Sequence, residues 1–334
     1  MLAESAHVAT GIDVVLNLKA DGLARPGGIR ATIEQAAERG RARVHETSTI
    51  EELEEVARGI AARGTHGVVL AGGDGSYMAG LTALARAHAG RSLPPIAFAP
   101  GGTVCTVARN LGMRGGARAY AARIVEAACN GSARAVAQST LRVRDDGGGD
   151  RVGFIFGAGL VLRFFEAYYA APRQGLVAAA RLVARIFAGS LSGSAFAKRV
   201  LRPAHCSLQV DRGDETRANS AREREPEGNH EWSLVLASVI RDVGLHVLVP
   251  YRAGEETDRF HLVASGLPPR ALGMQLPRAL RGLPMTGEPR VDVLARSVRV
   301  AFEDDEGGYV LDGDVFRARA VKVEPGPVFT LLRI

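Results

Sequence analysis

Cysteine is scarce and poorly placed for chemistry. Cys105, Cys129 and Cys206 are odd in number and far apart, with no C-x-x-C pair and no histidine at ligand spacing. That excludes a disulfide framework and a zinc site and fits a reducing compartment. Aromatic residues make up only 5% of the 334, with a single Trp, so the scattered arginines lack the interleaved rings on which bases stack. Nucleic acid is therefore not an expected partner. No stretch of about 18 charge-free apolar residues occurs, so no helix is expected to span a bilayer. The opening "MLAESAHVATGIDVVLNL" has acid and His where a signal peptide needs a basic start and a continuous apolar core. A cytoplasmic protein is expected, free or attached to a membrane face. Two phosphate-binding signatures are also missing: G-x-x-x-x-G-K-[ST] does not occur, and no G-x-G-x-x-G follows the first strand, so neither a Walker loop nor a Rossmann dinucleotide site is supported.

What is present is a foldable chain with a basic bias. Hydrophobic residues make up 46% and charged residues 23%, and 42 Lys and Arg against 36 Asp and Glu leave a net charge of +6. That bias suits anionic partners such as nucleotides or an acidic membrane surface. Up to about residue 135 the pattern repeats strand, glycines, helix. "GIDVVLNL", "RARVHET", "HGVVLAGGDG" and "PIAFAPGGT" read as strands, separated by helical stretches with Ser/Thr caps or closing glycines. This is the pattern of a parallel α/β sheet. From about residue 136 short alternating strands dominate, including "LHVLVP" (245–250) and "GYVLDGDVF" (308–316), with helices expected at about 163–200 and 271–282. A mainly antiparallel β C-terminal domain follows, a sandwich or open barrel. The polar stretch 211–230 reads as an exposed hairpin or loop.

The most informative segment is "VVLAGGDGSYMAG" (68–80), where a buried strand runs into three glycines around one carboxylate. Gly72, Gly73 and Gly75 permit positive φ and close backbone approach, and amides at the start of the next helix can hold a phosphate. A carboxylate beside phosphate is repulsive unless a cation lies between them, so Asp74 is expected to hold Mg²⁺. A second turn, Pro100-Gly101-Gly102-Thr103, follows the next strand and should lie on the same edge of the sheet. Thr103 could cap the helix beyond it. Cys105 reads as a small packed residue.

"VVLAGGDGSYMAGLTAL", then "APGGTVCTVARNLGM", and far downstream "VRVAFEDDEGGYVLDGDVF" resemble the diacylglycerol kinase catalytic-domain family, which includes bacterial diacylglycerol kinases, sphingosine kinases and ceramide kinases. The resemblance implies an ATP-binding α/β domain over 1–135 and a β-rich lipid-substrate domain over 136–334. It implies ATP and Mg²⁺ as cofactors. Carried over by position, Asn17, Thr47, Gly72, Gly73, Gly75, Ser76, Gly101, Gly102, Thr103 and Asp314 would bind nucleotide. Asp312 matches the catalytic Asp and is expected to act as base, with Asp74 organising the metal, though these two roles could be exchanged. Diacylglycerol is the default substrate, ahead of ceramide or a sphingoid base. An NAD-kinase-like enzyme and an inactive lipid-binding module are the rivals.

The sequence departs from the family pattern in places. "NLKADG" keeps Asn17 and Gly22 of the first phosphate loop but lacks its Pro, Cys105 and Thr106 replace Asn-Asp, Asp314 replaces Glu, and Val161 replaces an acid. The aromatic and basic stretch from Phe164 to Arg199 either packs on the second domain or touches an anionic membrane surface through which lipid enters. A homodimer is left open.

Overall fold

The computed structural model describes residues 11–213, 227–303 and 307–334. Four parallel strands start the chain: β1 (Ile12–Asn17), β2 (Arg43–Thr47), β3 (Gly67–Gly72) and β4 (Ile96–Pro100). Between and after them come α1 (Gly28–Arg39), α2 (Ile50–Arg63), α3 (Asp74–His88), α4 (Thr106–Asn110) and α5 (Ala117–Asn130), followed by β5 (Arg134–Gln138). All six residues of β3 are buried, as a central strand covered on both faces requires. α2 starts where its acids and Ser/Thr predict. The Thr49 hydroxyl accepts the Glu52 amide at 3.2 Å and the Glu52 carboxylate accepts the Thr49 amide at 3.3 Å, a reciprocal cap.

Sheet order is β2-β1-β3-β4, then the chain's last strand, Phe329–Arg333, then β5. The sequence places the last residues with the β-rich domain. In the structure Val328–Ile334 joins residues up to Gln138 in one compact unit, and Ser139–Pro327 forms the second. The cause is apolar: Phe329 and Leu331 are buried, and the Phe329 ring meets Phe98 edge-on at 6.1 Å. Leu331 pairs with Ile96 in parallel, and the strand runs antiparallel to β5.

Asp13 of β1 is fully buried. Its carboxylate meets His45 Nε2 at 2.7 Å and the Arg63 guanidinium. Burial pushes its carboxyl up, but hydrogen bonds from His45, Thr65 and Arg63 and the Arg63 charge outweigh that, so it titrates below the ordinary value. A depressed carboxyl stabilises the fold fully above its unfolded value of about 4, and the contribution is lost as pH falls through the folded value. Asp13→Asn should therefore flatten the acid limb of the stability curve measured by urea unfolding. An unchanged slope below about pH 4 would contradict this.

The second unit holds β6 (Leu141–Asp145), β7 (Asp150–Gly153), β8 (Ile155–Gly159), α6 (Leu160–Tyr169), α7 (Leu176–Ser192), α8 (Ala195–Val200), β9 (Ala204–Asp211), β10 (Glu227–Trp232), β11 (Leu234–Ser238) and β12 (Phe260–Ser265). It continues with α9 (Pro269–Gly273), α10 (Leu276–Ala279), β13 (Arg290–Ala295), β14 (Ser297–Phe302), β15 (Gly308–Leu311), β16 (Asp314–Arg317) and β17 (Ala320–Pro325). The strands form two six-stranded antiparallel sheets, β10-β9-β14-β17-β6-β7 and β13-β12-β11-β8-β15-β16. Two runs that the sequence presents as continuous change sheets partway, at Phe154 and at Arg296, as corner-turning strands do. "LHVLVP" is not a strand: Leu245 and His246 both have positive φ, 55° and 59°, which no strand accommodates. Of the polar stretch 211–230, the end forms β10, and 214–226 lies outside the described residues.

Candidate functional site

In the first unit α1 packs with α5 and α2 with α3. β1 has β2 on one side and β3 on the other, so the loops leaving β1 and β3 diverge between neighbouring strands. Open α/β sheets bind ligands at such a switch point. Asn17, the last residue of β1, reaches across it and donates through Nδ2 to Ser76 Oγ at 2.8 Å. The amide orientation is fixed, because Asn17 Oδ1 accepts the Lys19 amide at 2.9 Å. Ser76 Oγ also accepts the Gly73 amide at 3.2 Å. With two donors on its oxygen, the Ser76 hydroxyl has its own proton to direct at a third partner. Asp74, Gly75 and Ser76 lie inside α3 and form its first turn, where the sequence suggests a loop. The amides of a helix's first turn have no carbonyl partners within the helix and favour an anion.

The glycines answer to close approach and not to backbone sign. None of Gly72, Gly73, Gly75, Gly101 and Gly102 has positive φ. What comes close is the neighbouring turn. A Cβ on Gly102 would lie 2.5 Å from Gly73 Cα, and a Cβ on Gly101 would lie 2.7 Å from the Leu23 side chain. The Gly101 amide donates to the Gly72 carbonyl at 2.7 Å, and the Gly22 amide donates to the Gly101 carbonyl at 2.9 Å. A Cβ on Gly72 would collide with the Ser76 side chain. The three turns after β1, β3 and β4 are thus locked glycine against glycine into one edge.

Asp74 has a different occupation from the expected one. Its Oδ2 accepts the Thr106 amide and its Oδ1 the Val107 amide, both at 2.9 Å. The carboxylate caps α4 and ties the first glycine turn to the helix beyond the second, so backbone amides meet the charge that the sequence assigns to a cation. Among the described residues no three Asp, Glu, His or Cys side chains form a group that could hold a metal. The residues present do not fit a protein-built Mg²⁺ site at Asp74.

The structure modifies three smaller expectations. Thr103 does not cap α4: its hydroxyl donates to Asp21 at 2.7 Å, and Cys105, at φ 54°, precedes the helix. Thr47 is buried and donates to the Leu16 carbonyl at 3.2 Å, which makes it a structural link between β1 and β2. Cys105 is the packed residue expected. It contacts the Gly102 carbonyl, and burial pushes its thiol up to about 11, far from thiolate chemistry.

Asp312 lies in the second unit, at the tip of the hairpin joining β15 to β16. Asp312 and Gly313 have φ of 49° and 98°, as a two-residue hairpin turn requires. The Asp312 side chain is buried and faces the bend between β7 and β8. Oδ1 accepts the Ile155 amide at 2.8 Å, and the Phe154 amide is shared between the two oxygens at 3.0 Å. Gly153 is glycine for this carboxylate, since a Cβ there would lie 2.6 Å from Asp312 Oδ2.

The hairpin is also held from α6. Tyr169 donates to the Gly313 carbonyl at 2.9 Å, Phe165 lies against Gly313, and Glu166 pairs with Arg317. This gives part of the aromatic run a fixed role that spacing alone did not reveal. Asp314 is exposed as a residue, but neighbouring atoms strip part of the water from its carboxyl and raise it above the ordinary value. Val161, where the family has an acid, covers Gly157. Asp21 and Leu23 are the site residues that sequence reasoning missed; Gly22, retained in "NLKADG", was the available signal.

Residues 12–139 match the family model of the diacylglycerol kinase catalytic domain. No curated protein matches the sequence. Over 97% of both chains, the fold is similar to the crystal structure of a diacylglycerol kinase from Bacillus anthracis str. Sterne, at 13% identity and a TM-score of 0.58. Two structures of a diacylglycerol kinase candidate from the same organism are similar over the same share at 14% identity, with TM-scores of 0.66 and 0.65. The N-terminal parallel sheet with an antiparallel β-rich unit is the architecture these chains share with it. The match at 12–139 and the ordered glycine turns found there identify this segment as similar to the diacylglycerol kinase catalytic domain, and the fold as a whole is the one seen in those kinase structures.

Proposed function

We propose that the chain is an ATP-dependent lipid kinase that phosphorylates a hydroxyl of diacylglycerol or a similar lipid. The observation that carries the ATP half is the Asn17–Ser76–Gly73 link across the switch point, which sets a hydroxyl beside the amides of the first turn of α3. In this reading the interlocked turns position the phosphates. The lipid hydroxyl attacks the γ-phosphorus, the O–P bond to ADP breaks, and the hydroxyl proton passes to a carboxylate of the Asp312–Asp314 hairpin. Asp312 is the base of the proposal. The Phe154 and Ile155 amides fix its direction, and Asp314 stands two residues away. Phosphoryl transfer needs positioning and charge stabilisation more than covalent chemistry, and a rigid turn edge with one oriented carboxylate supplies the positioning.

The test is transfer of radiolabelled phosphate from ATP to a panel of diacylglycerol, ceramide, sphingosine and NAD, separated by thin-layer chromatography. A labelled lipid is the expected product. Label on NAD alone, or ATP binding without transfer to anything, would overturn the reading.

A further inference from the structure

We propose that α9 and α10, together with the outer side of α7, form a docking surface for anionic membranes. Large exposed apolar side chains gather on this part of the second unit. Leu176, Val177 and Leu191 of α7 are 44%, 64% and 44% exposed, and Met274, Leu280 and Leu283 on and after α9–α10 are 53%, 41% and 42%. The C-terminal end of α7 adjoins α9 where Gly273 lies against Ser190, since a Cβ on Gly273 would collide with the Ser190 hydroxyl. Leu191 and Met274 are the next residues along each chain segment. Leu176 and Val177 expose the start of α7.

Charge identifies the occupant. The whole chain is nearly balanced, with 42 bases and 36 acids, but these segments are not. No acid occurs between Glu166 and Asp211 against six Lys and Arg, or between Asp258 and Glu288 against four Arg. Arg181 and Arg185 of α7 and Arg270 and Arg281 beside α9–α10 are exposed. Arg270, Arg278 and Arg281 form no ion pair among the described residues; Arg278 and Arg281 donate to the backbone carbonyls of Pro284 and Pro277. A second copy of this face would be repelled by its own sign. A surface that takes apolar side chains and also offers acidic groups in every direction is a bilayer with anionic headgroups. The proposal deepens the lipid-kinase reading, on which it rests for the reason a membrane is met at all.

The experiment is co-sedimentation with phosphatidylglycerol–phosphatidylcholine vesicles and with vesicles of phosphatidylcholine alone. Wild type should bind the anionic vesicles and release as salt rises. The combined variant Arg270→Gln, Met274→Ser, Arg281→Gln, Leu283→Ser should lose a factor on the order of 10–100 in partitioning while keeping its turnover on a short-chain lipid dispersed in water. Val44→Ser with Ile50→Ser, two exposed apolar residues of the first unit, should change nothing. Full binding by the combined variant, equal binding to neutral vesicles, or attachment to polyaspartate but not to vesicles would each overturn the proposal. Vesicle binding that depends on these four residues, without phosphate transfer to any lipid, would keep the docking surface and sink the kinase reading. Lipid phosphorylation with vesicle binding untouched by the substitutions would do the reverse.

Discussion

Asp312→Asn is expected to turn over about 10²–10⁴-fold more slowly than wild type, with little change in ATP affinity, which is the usual contribution of a positioned general base. Asn is the appropriate replacement because it tolerates the left-handed φ of 49° at this position. It is not neutral for the fold. The Phe154 and Ile155 amides point at the two carboxylate oxygens, and an amide nitrogen in place of one oxygen presents a donor to a donor. A lost hydrogen bond to a charged group costs about 1.5–3 kcal/mol, so the melting temperature should fall as well. Activity is therefore measured well below the melting temperature of the variant.

The decisive comparison is Asp314→Asn. Asp314 is exposed, and its carboxyl is raised above the ordinary value, so as a base it would give kcat/KM an acid limb at higher pH than an ordinary carboxylate gives. If that limb vanishes in Asp314→Asn while Asp312→Asn keeps activity within a factor of about three, Asp314 is the base and Asp312 is the pin that aims its hairpin.

The parallel half of the fold was legible because periodicity and caps are local properties. Thr49 and Glu52 announce α2 within four residues, and β3 and β4 are short apolar runs that lead into glycines. The last strand was not, because five residues carry no sign of which sheet they join, and Phe329 is placed by the Phe98 ring it meets and by pairing with β5, both distant in sequence. The glycine turns show the same division. Their sequence states that something approaches closely, but a missing Cβ does not name the neighbour. For Gly73 the neighbour is Gly102, from a turn 29 residues later, and for Asp74 it is the pair of amides at Thr106 and Val107. Asp312-Gly313 was readable as a hairpin tip from its two residues, whereas its hold on Phe154 spans 158 positions and exists only in the folded unit. Local chemistry was visible in the sequence, and partners across the fold were not.

Gly102→Val is expected to abolish ATP binding and lower the stability of the first unit. A Cβ at residue 102 would lie 2.5 Å from Gly73 Cα and 3.2 Å from its nitrogen, and both neighbours are backbone, so no rotamer change can relieve the contact. The turns after β3 and β4 would have to separate. The Gly101 to Gly72 hydrogen bond would stretch, and the Asp74 carboxylate would be drawn from the α4 amides. Overpacking of this kind costs about 1–3 kcal/mol, enough to register in a urea titration. Gly102→Ala probes the same contact with a single methyl, because the clash arises at Cβ itself; it should lose most of the ATP affinity that Val loses. That outcome separates interlock from cradle. If the glycines serve only to let phosphate approach an otherwise open loop, Gly102→Ala would weaken ATP binding while leaving unfolding free energy unchanged, whereas an interlocked edge must lose both together. Isothermal titration with a non-hydrolysable ATP analogue beside urea unfolding of the two variants decides the matter.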